Sequence, residues 1–358
     1  MTGKTSRRDF LKMGVAGASV LPFLRAMPAV AQGSDTLVVV TGQSINSLDL
    51  HRTGTNRPSY QVAVNCYDRL VSFGTKEAPG GGLSYDYETI VPELAESWTV
   101  SEDGLVLTFK IKPKATFWDG SKVTAEDVKW SFDRAVSVGG FPSVQMRAGG
   151  FERPDQFKAL DAESFQITLD RPSKLSIPDL AVPVPFIINA AVAKANATAD
   201  DPWAMEYLHI TPAGSGAFKV LRWSPGEQLV YERNDAWVGG PLPAVRRVVL
   251  REVPSPATRR ALIERGDVQM SFGIPDKDAA ELSKLDDVNV YSTPIENCIH
   301  CLCTNTQFEP FQDADVRKAV AYAVPYEDLF QAAAFGRGAP LWGGEVASSA
   351  IVDEGDER

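Results

Sequence analysis

The sequence predicts an α/β protein of at least two lobes, and three observations carry that prediction. Segments with a two-residue apolar period alternate along the chain with segments of helical period, the pattern of strands and helices packed in layers. The chain has 358 residues, past the ~250–300 at which a single core stops growing. Its hydrophobic fraction of 44%, with 9% aromatic residues, is enough to fill a large interior.

The first segment is an export signal. Arg7 and Arg8 supply a charged start, Met13 to Leu24 an apolar run, and Ala29-Val30-Ala31 the small residues of a cleavage site, which places cleavage after Ala31. The run falls short of the ~20 apolar residues of a membrane span, and Arg25 interrupts it. The stretch Ser6-Arg7-Arg8-Asp9-Phe10-Leu11-Lys12 resembles the full consensus of twin-arginine signals, which direct folded proteins to the periplasm.

Next, "DTLVVVT" (35–41) is β-branched and reads as a strand. In "LVLTFKI" (105–111), Leu105, Leu107, Phe109 and Ile111 alternate with polar or smaller neighbours, as in a half-buried strand. Thr124 is an N-cap with Asp127 three residues on, and Val128, Phe132, Ala135 and Val136 then share one helical face. "VRRVVLREV" is a strand, Ser255-Pro256 opens the helix "ATRRALIERG", and "DVQMSF" is the strand after it. "DADVRKAVAYAV" is a further amphipathic helix, with "YEDLFQAAAFG" following it. Gly and Pro clusters at 79–82, 139–154 and 239–243 separate the blocks.

Composition excludes several functions. Removing residues 1–31 takes five basic residues and one acid from a chain of net charge −10, leaving −14. Such a surface, with no basic run, argues against nucleic acid and anionic membranes as partners, since both need clustered Lys and Arg. No phosphate loop, HExxH or GxSxG signature is present, and "AGSGAFK" lacks the third glycine of a dinucleotide loop. The carboxylate pairs Glu102-Asp103 and Asp286-Asp287 sit among turn residues, as solvated groups do. No catalytic residue and no cofactor is predicted.

Three of the four cysteines cluster with His300 in "CIHCLC", a set that could complete a zinc tetrahedron. The surrounding "NCIHCLCTN" reads instead as a buried strand, with Cys301 and Cys303 on one face and Cys298 on the other, which opposes convergence on one ion. A short-range disulfide involving Cys66 or Cys298 remains open in an oxidising compartment.

The stretch "LAESWTVSEDGLVLTFKIKPKATFWDGSKVTAEDVKWSFDRA" resembles the signature of the extracellular solute-binding proteins of peptide and nickel ABC importers, family 5. The matching residues are Ala95, Ser97, Trp98, Ser101, Asp103, Gly104, Phe109, Phe117, Asp119, Gly120, Ala125, Asp127 and Val128. "AGSGAFKVLRWSPGEQLVYERNDAW" and "FQDADVRKAVAYAV" are similar to further segments of that family, in the same order. Each also has a structural explanation: Trp98, Phe117 and Trp118 as core, Gly104 and Gly120 as turn formers, and Asn234 and Trp237 as the fixings of a loop.

The resemblance implies a two-lobed, type II-like periplasmic binding protein with an extra signature domain and an incomplete second lobe. The expected boundaries are 1–31 signal, 32–58 with 155–300 as lobe I, 59–154 as the inserted signature domain, and 301–358 as the start of lobe II. It further implies a ligand cleft lined by the turn Gly42–Asn46, with Gln43, Ser44 and Asn46 as contacts, and by Thr53–Asn56, with Thr55 and Asn56. Gly214, Ser215 and Gly216 of the glycine-rich turn, and Cys303 and Asn305 of the crossover, complete the implied site. The implied partners are a di- or oligopeptide and an inner-membrane ABC permease, and the implied state is a monomer. Nickel chelate, glutathione, opine and oligosaccharide are alternative solutes, and an enzyme or chaperone-like protein reusing the lobes is the alternative class. The sequence departs from the family at Ala217, where a proline is common, and at Cys301 and Cys303. Family members run longer, so the chain is expected to be truncated, leaving the apolar faces of "DADVRKAVAYAV" and "YEDLFQAAAFG" uncovered.

Overall fold

The computed structural model describes residues 35–78, 82–291 and 302–334. The export signal, Cys298, His300 and Cys301 lie outside these residues. Among the described residues, eleven strands form three sheets. They are β1 (Thr36–Thr41), β2 (Val71–Glu77), β3 (Leu83–Pro92), β4 (Ala95–Val100), β5 (Val106–Ile111), β6 (Phe157–Ala159), β7 (Ser164–Thr168), β8 (Phe218–Ser224), β9 (Gln228–Arg233), β10 (Arg247–Glu252) and β11 (Met270–Ser271).

The largest sheet has the order β11-β1-β10-β9-β8. Its β1 runs parallel to β10 and β11, whereas β8, β9 and β10 are antiparallel. β1 is buried on both faces: Val39 joins one cluster with Leu250 and Leu229, while Val38 and Val40 join Val268, with Leu262 and Ile263 of the helix Pro256–Glu264 packed against them. Burial on both sides is why this strand is a continuous apolar run without alternation. "DVQMSF" contributes only the two-residue β11, which pairs with β1 at Val39 and Val40.

The second sheet, β4-β5-β7-β6, is antiparallel and covered on one face by helix α2 (Ala125–Ser137). Leu107, Phe109 and Ile111 point inward, as the alternation requires. Thr124 and Asp127 form a reciprocal capping box at the start of α2. Gly104 and Gly120 have φ of 71° and 85°, the left-handed turn geometry expected of them.

The antiparallel block does not stop at residue 154. β6 and β7 supply two of the four strands of its sheet, so the block extends past residue 154 to Thr168. Helix α1 (Tyr60–Cys66) packs Val62, Ala63 and Cys66 with β1, β9 and β10 instead. The two blocks meet at α2, whose Val128, Phe132 and Ala135 face the antiparallel sheet while Trp130 enters the other cluster. Helical spacing puts these residues on opposite faces, so both sides of α2 are interior.

Arg134, one turn beyond Trp130, joins the blocks by charge. It donates to both carboxylate oxygens of Asp49, at 3.0 and 2.5 Å, and to the Trp203 carbonyl at 3.0 Å. Both side chains are buried, at 0% and 1% exposure. Burial acts to raise the Asp49 pKa, but Arg134 wins and holds it below the usual carboxylate value.

Asp179 has no such cation. Burial pushes its carboxyl up to about 6, against a hydrogen bond from Gln145 at 2.5 Å. A carboxyl raised in the fold contributes stability that is full below its unfolded value near 3.8 and lost as pH rises through 6. Asp179→Asn is therefore expected to add about 1–2 kcal/mol at pH 8, allowing for partial exposure, and almost nothing at pH 4. Denaturant melts at the two pH values measure this, and equal effects at both would show that the carboxyl titrates normally.

Beyond Leu302 the chain forms helices Ala314–Ala323 and Tyr326–Ala334. The first buries none of its residues, and Tyr322 is 91% exposed, so the uncovered face expected for it is observed. Cys303 is exposed and lies outside any strand, whereas Cys66 is a free, buried thiol, which removes Cys66 from the disulfide alternative.

Candidate functional site

In open sheets with parallel strands, ligands bind outside the carboxyl ends of the strands, where successive loops diverge and leave backbone groups to be satisfied. Here that edge is defined by Thr41 at the end of β1 and Glu252 at the end of β10, which are register partners. The antiparallel β8–β9 hairpin brings Ser224 and Gln228 to the same edge. A small cleft lies there, lined by Thr41, Gln43, Ser44, Ile45, Trp223, Ser224, Gly226, Gln228, Leu229, Leu250 and Glu252.

The predicted residues of the two N-terminal segments converge beside this cleft. Asn56 donates from its backbone N–H to Asn46 Oδ1 (2.9 Å) and from Nδ2 to the Ser44 carbonyl (2.7 Å). Asn46 Nδ2 donates to the Gly54 carbonyl at 2.9 Å, and Ser59 Oγ donates to Asn56 Oδ1 at 2.9 Å. Thr55 Oγ1 is shared between the Asp49 and Arg52 carbonyls, at 3.0 and 2.7 Å. Segments 42–46 and 53–56 are thus one hydrogen-bonded unit. Of the predicted contacts, Gln43 and Asn46 are exposed, while Ser44, Thr55 and Asn56 are half-buried. Preorganised polar loops of this kind offer donors and acceptors without first having to order themselves.

The glycine-rich turn has a different place. Gly214, Ser215 and Gly216 are buried and do not line the cleft. The Gly216 N–H donates to the Cys66 carbonyl at 3.1 Å, Ser215 Oγ donates to Asp68 at 2.7 Å, and Trp118 Nε1 donates to the Gly216 carbonyl at 3.3 Å. Asn234 Nδ2 donates to the carbonyls of Ser215 (3.2 Å) and Gly216 (3.1 Å), and Trp237 Nε1 to Asp68 at 2.7 Å. Asn234 and Trp237 therefore fix a loop, as expected of them. Cys303 and Asn305 precede the short helix Glu309–Gln312, and Asn305 Oδ1 accepts from the Gln307 N–H at 3.0 Å.

Trp223, Ser224, Gln228 and Glu252 were not singled out from sequence. Their positions at strand ends are visible in "VLRWSPGEQLV", a strand–turn–strand, but which strand ends share an edge depends on sheet order.

A larger cavity of about 450 Å³ sits at the opposite edge of the sheet, lined by Lys219, Glu232, Arg233, Asn234, Asp235, Ala236 and Arg246. Arg233 and Arg246 both bind the Asp235 carboxylate at 2.7 Å, so these three charges are already paired with one another. Despite its volume, it lies at the amino end of β1, away from the convergent polar loops.

A parallel-strand edge with ordered polar loops, on an α/β framework, defines a ligand-binding scaffold, and the comparisons place it. Residues 89–354 match the family described as bacterial extracellular solute-binding proteins, family 5, and the chain belongs to that family. It is 32% identical over 309 residues to the probable D,D-dipeptide-binding periplasmic protein DdpA of Escherichia coli (strain K12), covering 86% of this chain and 57% of the relative. Among solved structures it is similar to the binding protein AgaA in complex with agropinic acid from A. tumefacien R10, with TM-score 0.68 and 27% identity, over 88% of this chain and 59% of the other. Helicobacter pylori DppA in complex with the peptide STSA shares the fold, with TM-score 0.68 and 24% identity over 84% and 58%. The fold is that of the two-lobed periplasmic binding proteins, with the second lobe present in part, and the chain spans under two thirds of the length of these relatives.

Proposed function

We propose that this protein is the periplasmic solute-capturing component of an ABC importer, taking a di- or oligopeptide at the carboxyl edge of the large sheet and delivering it to a membrane permease. The observation that carries this reading is the hydrogen-bonded pair of loops 42–46 and 53–56 beside a cleft at the ends of β1 and β10. Ligand is held by Gln43, Ser44, Asn46, Thr55 and Asn56, with Gly214, Ser215 and Gly216 supporting the wall from below and Cys303 and Asn305 at the passage to the second lobe. The twin-arginine stretch Ser6–Lys12 supports export of the folded chain to the periplasm. The protein acts as a monomer, binds no nucleic acid and performs no chemistry on its ligand.

The test combines binding with ligand recovery. Dipeptides, glutathione and agropinic acid are titrated against the full chain by calorimetry and tryptophan fluorescence, and bound solute is recovered and weighed by mass spectrometry. A dipeptide bound at micromolar concentration and released unaltered is the expected result. Turnover of any of them, or silence from all, would overturn the proposal. Trp223 lines the cleft, so Trp223→Phe is expected to remove most of the ligand-induced fluorescence change and leave the folded spectrum intact.

A further inference from the structure

The three parallel strands of the large sheet end in loops that meet on one side chain. Arg259, in the helix Pro256–Glu264, is 3% exposed and shares a helical face with Leu262 and Ile263, which pack against Val38 and Val40. Its Nη1 donates to the carbonyls of Val253 (2.7 Å) and Pro254 (2.8 Å), in the loop after β10, and its Nη2 to the carbonyl of Gly273 (2.7 Å), two residues past β11. Gly42, the first residue past β1, lies against the same guanidinium: a Cβ there would be 2.6 Å from Nη1 and 2.9 Å from Cζ. One cation therefore touches the loops that follow β1, β10 and β11.

Among the described residues no carboxylate pairs with Arg259, and its Nε is buried without a hydrogen-bond partner. Its charge is met by neutral carbonyls alone. A buried cation of this kind is costly to desolvate, so its bonds to those carbonyls must be kept, and the planar fork of a guanidinium holds them in fixed directions. The cleft lies on the other side of the same backbone. Thr41, Gln43 and Glu252 line it, whereas Gly42 and Val253, their neighbours in the chain, touch Arg259. The Val253 N–H also donates to the Thr41 carbonyl at 2.8 Å, which ties the loops after β1 and β10 to each other.

We infer that Arg259 is a positioning residue for solute capture: without touching the solute, it fixes the loops after β1, β10 and β11 relative to one another and so holds Gln43 and Ser44 where they meet it. The inference rests on the capture reading and deepens it, by naming the support on which that wall of the cleft depends.

The test uses the full chain, Arg259→Lys, Gly42→Ala and the double variant. Lysine keeps the charge but lacks the fork, so it cannot hold the carbonyls of 253–254 and of Gly273 together. Hydrogen–deuterium exchange without solute is expected to quicken in Arg259→Lys by on the order of tenfold at the amides of 42–46, 252–253 and 272–274 together, and to stay unchanged in α2. Calorimetry with the dipeptide Ala-Leu, well below the melting temperature, is expected to show binding weakened by on the order of tenfold in Arg259→Lys and in Gly42→Ala. In the double variant Gly42→Ala should add less than about threefold to the loss from Arg259→Lys, because the atoms that its Cβ meets are gone. If Arg259→Lys folds poorly, Gly42→Ala alone decides: its Cβ displaces the guanidinium, so exchange must quicken at 252–253 and 272–274 as well as at 42–46. A lowered Tm with Ala-Leu bound as tightly as before would make Arg259 merely structural and overturn the inference. Unchanged exchange in the three loops, or equal losses from Gly42→Ala with arginine and with lysine at 259, would overturn it too. Failure of the unsubstituted chain to bind any solute of the panel would remove the capture reading, and this role with it.

Discussion

Replacing Arg134 with methionine is expected to destabilise the protein by about 3–5 kcal/mol, because it leaves the Asp49 carboxylate buried without its cation. The pair is inaccessible on both sides, and Asp49 Oδ1 also accepts the His51 N–H at 2.9 Å, so water cannot replace the guanidinium without opening the seam between the two blocks. For a unit of this size each kcal/mol lowers Tm by about 2–4 °C, so a fall of about 6 °C or more is expected in a thermal melt. The double variant Asp49→Leu with Arg134→Met should be less destabilised than Arg134→Met alone, since it removes the stranded charge. A single-variant loss under about 1 kcal/mol would show that the pair is hydrated and contributes as a surface pair does. The consequence reaches the site, because Asp49 lies between the two loops that bind Ser44 to Asn56, and the Thr55 hydroxyl donates to its carbonyl.

Gly214→Ala is expected to be of comparable severity for a different reason. A Cβ at this position would lie 1.9 Å from the Cys66 carbonyl oxygen and 3.1 Å from the Trp118 ring. The obstructing atom is backbone at the end of α1 and cannot rotate away, so the glycine turn must move and loosen the bonds from Trp118, Ser215 and Asn234. Overpacking of this kind costs about 3 kcal/mol or more when the neighbours are fixed. Denaturant midpoints of Gly214→Ala and of Gly226→Ala give the comparison. Nothing lies within 4 Å of a Cβ at Gly226, and its φ of 77° makes backbone strain its only penalty. Equal losses at the two positions would refute the packing explanation.

Much of the framework is legible in the sequence because local rules and global packing agree there. Thr124 and Asp127 cap α2, Ser255 caps the helix Pro256–Glu264 by accepting the Thr258 N–H, and the alternation of Leu107, Phe109 and Ile111 places one face in the core. The run of the antiparallel sheet past residue 154 is not legible, because nothing in "SFQIT" states that it pairs with β5 from more than fifty residues away, or in "FKAL" that it pairs in turn with β7. The placement of α1 is hidden for the same reason.

The site is legible in part. Asn46, Ser44, Thr55 and Asn56 are short polar residues in turns after a buried strand, and the structure does bring them together. Gly214 and Gly216 carry two meanings in sequence, close approach of a ligand or close approach of another backbone, and the neighbour present here is the backbone of Cys66. Trp223 and Glu252 become neighbours of Gln43 only once strand order is known.

Hydrogen–deuterium exchange of the full chain, with and without a saturating dipeptide, tests the central claim most directly. If solute is captured at the carboxyl edge of the large sheet, amides in 42–46, 53–56 and 223–228 gain protection while those of the opposite edge, 232–236 and 246, do not change. Protection confined to that opposite edge, or bound peptide with no protection in any of the three segments, would contradict the account.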